Sequence, residues 1–300
     1  MLRLSLRRAG VAAAGAVGLY SSHQSTLLEQ KPTPALFSLE GRTALVTGGS
    51  QGLGKAIARG MALAGADVII SSRREAELKA SLEDITAGTS VRGHFIVADL
   101  SKPGEAERLG QAALSWAPGG RVDILVNNAG VSVPGTIHKG EANDKESIPK
   151  MTGPGWDGVI QTNLSSAVHL TNALAPAMVS NGYGRIINIS SIGGLGSSEG
   201  RSAYSASKAA LHAITWAGAL ELGPHGVTVN AIAPGPFLTE MPLTKLPPAV
   251  RDSVAEKVPL RRWGAPDELA GPAVMLASEA GSYVNGAVLR VDGGLLARAY

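Results

Sequence analysis

The chain has 300 residues, 44% of them hydrophobic and 17% charged, with 38 glycines and no cysteine. That supplies a sizeable apolar core and too little charge for a disordered chain, and it excludes disulfides, thiolate metal sites, iron–sulfur clusters and a cysteine nucleophile. The net charge of +3 sits entirely in residues 1–37, where Arg3, Arg7, Arg8 and Lys31 face Glu29 alone. The neutral body carries no basic footprint for nucleic acid, so a small-molecule partner is expected. Among the six histidines no HExxH or comparable metal-ligand cluster occurs, and no metal site is expected.

Residues 1–28 contain three arginines, several serines and no acid, the composition of an organelle transit peptide. Mitochondrial targeting is therefore expected. A secretory signal is the alternative, because Arg7 and Arg8 precede the short apolar run Ala9–Tyr20, and a disordered extension in a cytoplasmic protein is the third. That run is well short of the ~20 residues needed to span a bilayer. Gln30–Pro34 reads as linker, which places a targeting peptide and linker over residues 1–35 and a single folded domain over residues 36–300.

From Gly41 onward, short apolar runs alternate with helix-length segments. The runs are Thr43–Val46, Ala66–Ile70, Gly93–Ala98, Val122–Val126, Arg185–Ile189, Val227–Ala231 and Ala287–Val291. They are near-continuous in Val, Ile and Leu, as in strands buried on both faces of a parallel sheet. Helical patterns over Gly54–Ala64, Glu75–Asp84, Trp156–Met178, Ser202–Leu222 and Pro266–Ala277 complete a β–α–β repeat. The expected fold is α/β, a doubly wound parallel sheet of Rossmann type in one domain, with ligands bound beyond the carboxyl ends of the strands.

The first strand runs into Thr47-Gly48-Gly49-Ser50-Gln51-Gly52-Leu53-Gly54 and then a helix. Glycines let such a turn approach a pyrophosphate at a helix N-terminus. Gly49 and Gly54-Lys55 have the spacing of a P-loop, but Ala56 stands where that motif needs a hydroxyl for magnesium. A dinucleotide is the better fit. The second strand ends Ser72-Arg73-Arg74, with no acid for a ribose 2′-hydroxyl and two guanidiniums suited to a 2′-phosphate, which favours NADP(H). A solvated arginine pair opening the next helix is the competing account. Asp99-Leu100 ends the third strand, where the aspartate is placed either to accept from an adenine amino group or to cap the next helix.

These segments, with Asn127-Asn128-Ala129-Gly130, Asn163, Ser191, Tyr204-x-x-x-Lys208 and Pro234-Gly235 with Thr239, resemble the classical short-chain dehydrogenase/reductase family over roughly Leu39–Gly294. Tyr204 and Lys208 lie four apart, on one helix face. Tyrosine is a poor base near neutral pH, and an adjacent ammonium and an oxidised nicotinamide favour its phenolate. Ser191 follows a buried strand, placed to hydrogen-bond the reacting oxygen. The resemblance implies that Tyr204 exchanges the proton, that Lys208 holds the nicotinamide ribose, and that Asn163 anchors a water relay behind Lys208. It also implies that Asn128 stabilises the central sheet while Asn127, Ala129 and Gly130 line the cofactor groove. Pro234 and Gly235 end the sixth strand and Thr239 bonds the carboxamide, while the closing Asp292-Gly293-Gly294 is structural.

The resemblance points to 3-oxoacyl reductases, acting on CoA-bound or carrier-bound chains, with a sugar, polyol or general carbonyl dehydrogenase as the alternative. A non-catalytic NADP(H) sensor or scaffold is a third account, against which the intact Ser191, Tyr204 and Lys208 count. Gly182 and His225 stand where carrier-dependent reductases place basic residues, which weakens the carrier version. Val131–Gly155 is longer than the family pattern, with Gly140–Glu146 as a solvated loop. Phe237–Trp263 is apolar through Leu238, Met241, Leu243, Leu246, Val250, Val254 and Leu260, which fits either a lipophilic substrate cover or core packing. A homotetramer built through the helices of Asn163 and Tyr204 is implied as well.

Overall fold

The computed structural model describes residues 32–137 and 149–297. The chain divides into two compact units, Met1–Leu36 and Phe37–Tyr300. Of the first, the described part is one helical turn, Thr33–Leu36. The Arg-rich segment 1–28 and the loop Gly140–Glu146 lie outside the described residues.

In the second unit, seven strands form one parallel sheet: β1 (Thr43–Thr47), β2 (Asp67–Ser72), β3 (Gly93–Val97), β4 (Ile124–Asn127), β5 (Gly184–Ile189), β6 (Val227–Pro234) and β7 (Val288–Val291). Their order is β3-β2-β1-β4-β5-β6-β7, so the winding reverses between β1 and β4. A crevice opens beyond the strand ends at that switch, because the two flanking crossovers leave in opposite directions.

The strand side chains alternate between two cores, one on each face. Val46, Val68, Ile70, Ile124 and Val126 join one apolar cluster, and Leu45, Ile69 and Leu125 join the other. The first cluster packs under α1 (Gly52–Leu63), α2 (Glu75–Thr86) and α9 (Ala270–Ala277) through Ile57, Met61, Leu78, Ile85 and Leu276. The second packs under α3 (Glu105–Trp116) and α5 (Ser166–Asn181) through Leu109, Ala113, Leu170 and Leu174. Each fully buried Leu or Ile contributes ~2 kcal/mol of transfer free energy, which is why near-continuous apolar strands sit at the centre.

The remaining helices are α4 (Gly153–Ile160), α6 (Ser202–Leu222), α7 (Glu240–Lys245) and α8 (Pro248–Lys257). The helix expected over Trp156–Met178 begins three residues earlier and is not uniform. Thr152 caps α4, accepting from Gly155 N–H at 3.2 Å, and one π-helical turn, Gln161–Ser165, joins α4 to α5. The segment expected over Pro266–Ala277 starts as a 3₁₀ turn, Pro266–Leu269, and continues as α9.

A buried polar ladder crosses the second core. Asn127 Nδ2 on β4 donates to Asn188 Oδ1 on β5 at 2.9 Å, and Asn188 Nδ2 donates to Thr215 Oγ1 on α6, also at 2.9 Å. Thr215 in turn donates to Leu211 O at 2.7 Å. None of the three side chains is more than 5% exposed. Buried amides left without partners cost ~1–3 kcal/mol each, so the ladder fixes α6 to the middle of the sheet. Asn188→Ala is expected to lower stability by about 1–3 kcal/mol in urea unfolding, since it leaves Asn127 Nδ2 with only Thr171 Oγ1 at 3.3 Å and removes the donor to Thr215 Oγ1.

Candidate active site

The loop after β1 forms the floor of the crevice. Gly48 N–H and Gly49 N–H donate to Ser71 O at 2.7 and 3.2 Å, which folds the loop against the end of β2. Gly52 has φ +54, a left-handed conformation that favours glycine. At Gly54 a methyl group would lie 2.3 Å from Gly48 O and 2.4 Å from Asn128 Nδ2, so α1 can start that close to the loop only without a side chain. The helix therefore begins at Gly52, two residues earlier than the sequence pattern places it, with its first amide groups facing the crevice.

The crevice has a volume of about 560 Å³. The structure brings Gly48, Ser50, Gln51, Gly52, Leu53 and Gly54 from the loop together with Ser72, Arg73 and Arg74 after β2. Asp99 and Leu100 after β3, Ala129 and Gly130 after β4, and Thr239 join them. Pro234 and Gly235 do not line it. Pro234 pairs with Val291 as the last residue of β6, and a methyl group on Gly235 would lie 2.7 Å from Asp292 Cα.

Asn127 also points elsewhere: its amide is spent in the ladder, and its neighbour Asn128 lines the crevice. Asn128 Nδ2 donates to Thr47 O at 2.8 Å and Gly48 O at 3.3 Å, clamping the loop to β4. Asn128 thus both ties the end of β1 to the segment after β4 and lines the crevice, whereas Asn127 does not line it. Thr162, Gly158 and Val133 line the crevice without having been singled out from sequence.

The two arginines after β2 divide their roles. Arg74 is the N-cap residue of α2 and pairs with Glu77 at 2.6 Å and with Gln51 Oε1 at 3.1 Å. Arg73 is exposed, and no carboxylate among the described residues lies within ion-pair distance of it. Ser71 Oγ, at the same strand end, is buried without a hydrogen-bond partner among the described residues. Asp99 Oδ1 accepts from Ser101 Oγ at 2.7 Å and from Ser101 N–H at 3.2 Å. Those bonds, with help from the Arg73 and Lys102 charges, hold its carboxyl below the usual range. It caps the Ser101 turn rather than α3, whose N-cap is Gly104.

Beyond β5 the chain turns sharply onto α6. Gly194 makes this possible, since a methyl group there would lie 2.7 Å from the carbonyl of Lys208 and 2.9 Å from Ala209 N. Ser191 Oγ accepts from Gly193 N–H at 3.0 Å, which leaves its own proton free to donate outward. Ser191 Oγ and Tyr204 converge at Gly193: a methyl group there would sit 3.4 Å from Ser191 Oγ and 3.3 Å from Tyr204 Cε1. The Tyr204 hydroxyl has no hydrogen-bond partner among the described residues. One turn further, Lys208 Nζ donates to Ile189 O at 2.8 Å and lies 5.9 Å from the Tyr204 ring centroid.

Asn163 occupies the π-helical turn and is 1% exposed. Its Oδ1 accepts from Val131 N–H at 2.7 Å, and its Nδ2 donates to Val131 O at 2.9 Å and Ser207 Oγ at 3.0 Å. Gly130 separates it from Lys208: a methyl group on Gly130 would lie 3.3 Å from Lys208 Nζ and 3.4 Å from Asn163 Oδ1. Behind Ser191, the buried Ser190 Oγ accepts from the Ser191 amide and pairs with His212 Nε2. Burial and the nearby Lys208 charge lower the His212 pKa.

The segment Val131–Gly155 leaves and returns at a pinned neck. Thr136 N–H donates to Pro149 O at 3.0 Å and Met151 N–H to Thr136 O at 2.8 Å, while Gly135 bridges to Arg201. In Phe237–Trp263, Phe237 and Val258 are buried, but Leu243, Val250 and Leu260 are 50, 44 and 61% exposed. Core packing therefore does not account for those three.

Desolvation lowers the Lys208 pKa from 10.5 to about 8. Because the folded value lies below the unfolded one, the cost of burying the charge is full below about pH 8 and disappears as pH rises towards 10.5. Wild type is thus expected to gain stability relative to Lys208→Met between pH ~7 and pH ~9.5, measured by urea unfolding of both proteins.

A family model described as enoyl-(acyl carrier protein) reductase matches residues 48–296. D-beta-hydroxybutyrate dehydrogenase of Cupriavidus necator is 38% identical over 271 residues, covering 87% of this chain and 100% of that protein. A structure assigned as an NAD(P)-dependent gluconate 5-dehydrogenase from Beutenbergia cavernae, with NADP bound at low occupancy, superimposes with a TM-score of 0.79. It is 37% identical and covers 88% of this chain and 100% of its own. A 3-oxoacyl (acyl-carrier-protein) reductase of Agrobacterium tumefaciens with NADP bound gives 0.80 at 32% identity, covering 89% of this chain and 98% of its own. These matches overturn the mitochondrial expectation. The relatives, with others from Mycobacterium tuberculosis and Escherichia coli, are bacterial proteins, and an Arg-rich, acid-poor composition does not by itself specify a compartment.

Proposed function

Because the chain belongs to the short-chain dehydrogenase/reductase family of oxidoreductases, we propose that it interconverts a secondary alcohol and a ketone with NADP(H), and that residues 36–300 are the catalytic domain. The observation that carries this reading is the convergence of Ser191 Oγ and Tyr204 at Gly193, one helical turn from Lys208, whose ammonium lies beside Gly130; Gly130 lines the crevice, although the other three residues do not.

The crevice fits the cofactor. Loop and helix amides at Gly52–Gly54 suit a pyrophosphate, the uncommitted guanidinium of Arg73 suits a 2′-phosphate, and the orphaned Ser71 hydroxyl faces an unmet hydrogen bond. Ser72 and Arg74 flank the same phosphate position, Asp99 and Leu100 the adenine end, and Ala129, Gly130 and Thr239 the nicotinamide end. Bound NADPH supplies a hydride equivalent, and NADP⁺ takes one up in the reverse direction. The Ser191 O–H donates a hydrogen bond to the substrate oxygen, keeping its proton, and holds the carbonyl in place. Tyr204 delivers a proton to that oxygen in reduction and removes it in oxidation. Lys208, fixed by Ile189 O, keeps a positive charge beside the phenol, and Asn163 Oδ1 offers a second lone pair for a proton relay on the far side of Gly130.

For the substrate, the activities named for the relatives support two classes, 3-oxoacyl compounds and sugar acids. Gly182 and His225 offer no fixed cation for an acidic carrier protein, which favours acyl substrates presented in another form. A homotetramer joined through α5 and α6 is part of the proposal; Ile214, Trp216 and Leu220 on α6 are 36, 53 and 79% exposed and would be covered by it. Light scattering is expected to give four times the chain mass.

Tyr204→Phe is expected to lower kcat by about 10³-fold or more while leaving NADPH affinity within a few-fold, as measured by fluorescence titration. Arg73→Ala should weaken NADPH by about tenfold and leave NADH unchanged. Undiminished turnover by Tyr204→Phe, or tighter binding of NADH than of NADPH, would contradict the reading.

A further inference from the structure

Helix α6 presents three positions in line on one face: Arg201 at its N-cap, Tyr204 one turn on, and Lys208 one turn beyond that. The Arg201 guanidinium stands over the Tyr204 ring, 5.8 Å from its centroid, nearly matching the 5.9 Å of the Lys208 ammonium. The two cations are differently placed. Lys208 is buried against Ile189 O, whereas Arg201 is exposed and its guanidinium makes no hydrogen bond or ion pair with any described residue. Arg74, Arg92, Arg108 and Arg262 all hold carboxylates.

The backbone of Arg201 is held by its surroundings. Gly135 N–H donates to Gly200 O at 2.9 Å, Ser202 Oγ donates to Gly135 O at 3.3 Å, and Arg201 N–H donates to Ser198 O at 3.2 Å. The neck of the Val131–Gly155 segment therefore fixes the point from which the side chain reaches over the phenol.

A guanidinium presents a planar fork of donors that matches a carboxylate, and one such fork balances one negative charge. Placed one helical turn from the hydroxyl that meets the reacting oxygen, it selects for an anion on atoms adjoining the reacting carbon. We propose that Arg201 binds the substrate's own carboxylate, so that the substrate is an oxo or hydroxy acid with a free carboxylate near the reacting carbon. A thioester at that place would leave the guanidinium without a partner. This inference rests on the oxidoreductase role proposed for Tyr204.

The test compares oxo acids with their neutral methyl esters, using full-length protein and NADPH: acetoacetate and 2-oxobutyrate, each beside its ester, with acetoacetyl-CoA as a fifth substrate. At least one acid is expected to exceed its ester by about tenfold or more in kcat/KM. Arg201→Gln should raise the KM for that acid about tenfold or more, leaving the ester's KM and the NADPH Kd unchanged, and Arg201→Lys should recover part of the loss. Equal use of acid and ester, or an Arg201→Gln effect that falls equally on both, overturns the inference. Turnover of the esters or acetoacetyl-CoA without turnover of the acids overturns it while leaving the oxidoreductase reading intact. Absence of NADPH oxidation with all five contradicts both.

Discussion

The site depends on one close approach, that of the Lys208 turn of α6 to the end of β5. A lysine in a dry position is costly, and a carbonyl oxygen at 2.8 Å, Ile189 O, is what compensates it. Reaching that carbonyl requires the helix backbone to lie against the turn that follows the strand, which only a residue without a side chain permits at position 194. Ser191 belongs to the same turn and Tyr204 to the same helix, so the contact that shelters the ammonium also sets the spacing of the other two groups. The Ser190 hydroxyl, held between the Ser191 amide and His212, keeps that turn from rotating. Binding geometry and burial are therefore one problem here, solved once.

The crevice follows from a different constraint, the reversal of winding between β1 and β4. Its lining comes from the ends of β1 to β4, with Gly158 and Thr162 and with Thr239 beyond β6, none of which makes a pocket alone. This separates the molecule into a cofactor half, built on β1 to β4, and a catalytic half, built on β5 and α6, that meet at Gly130. The Val131–Gly155 segment touches both halves: Gly135 bridges to Arg201 at the start of α6, while Val131, Val133 and Gly155 line the crevice.

The five inner strands were legible because they are buried on both faces and so nearly uniformly apolar, and the partly buried edge strands β3 and β7 because they remain rich in Val, Ile and Leu or Phe. All seven coincide with the expected runs to within a few residues. Tyr204 and Lys208 were legible because a spacing of four on a helix is itself a distance. The start of α1 at Gly52 was not, since it depends on a left-handed backbone and on a close approach to Gly48 that a glycine count does not express. Nor was the π-helical turn, in which the Asn163 amide takes both backbone groups of Val131, a residue 32 positions away. That Asn127 spends its amide inside the sheet was not legible either, since its partners Asn188 and Thr171 lie 61 and 44 positions away. Asp99 was assigned between two partners and takes a third, Ser101, two residues on. Arg201 carried no motif; its placement over Tyr204 arises from the helix start and the Gly135 bridge together.

The amide ladder through Asn127, Asn188 and Thr215 has a consequence for how the chain assembles. Hydrophobic strands of Val, Ile and Leu are nearly interchangeable along their length, and sliding one past another by a residue pair costs little apolar contact. An amide in the middle of each of two neighbouring strands removes that degeneracy. Only one alignment of β4 with β5 lets the two side chains satisfy each other, and only one depth of α6 brings Thr215 to the remaining donor. Misaligned pairings strand polar atoms in the second core, so the ladder works as a key: it rejects wrong alignments more than it strengthens the right one, and it does so before any ligand arrives to select among them.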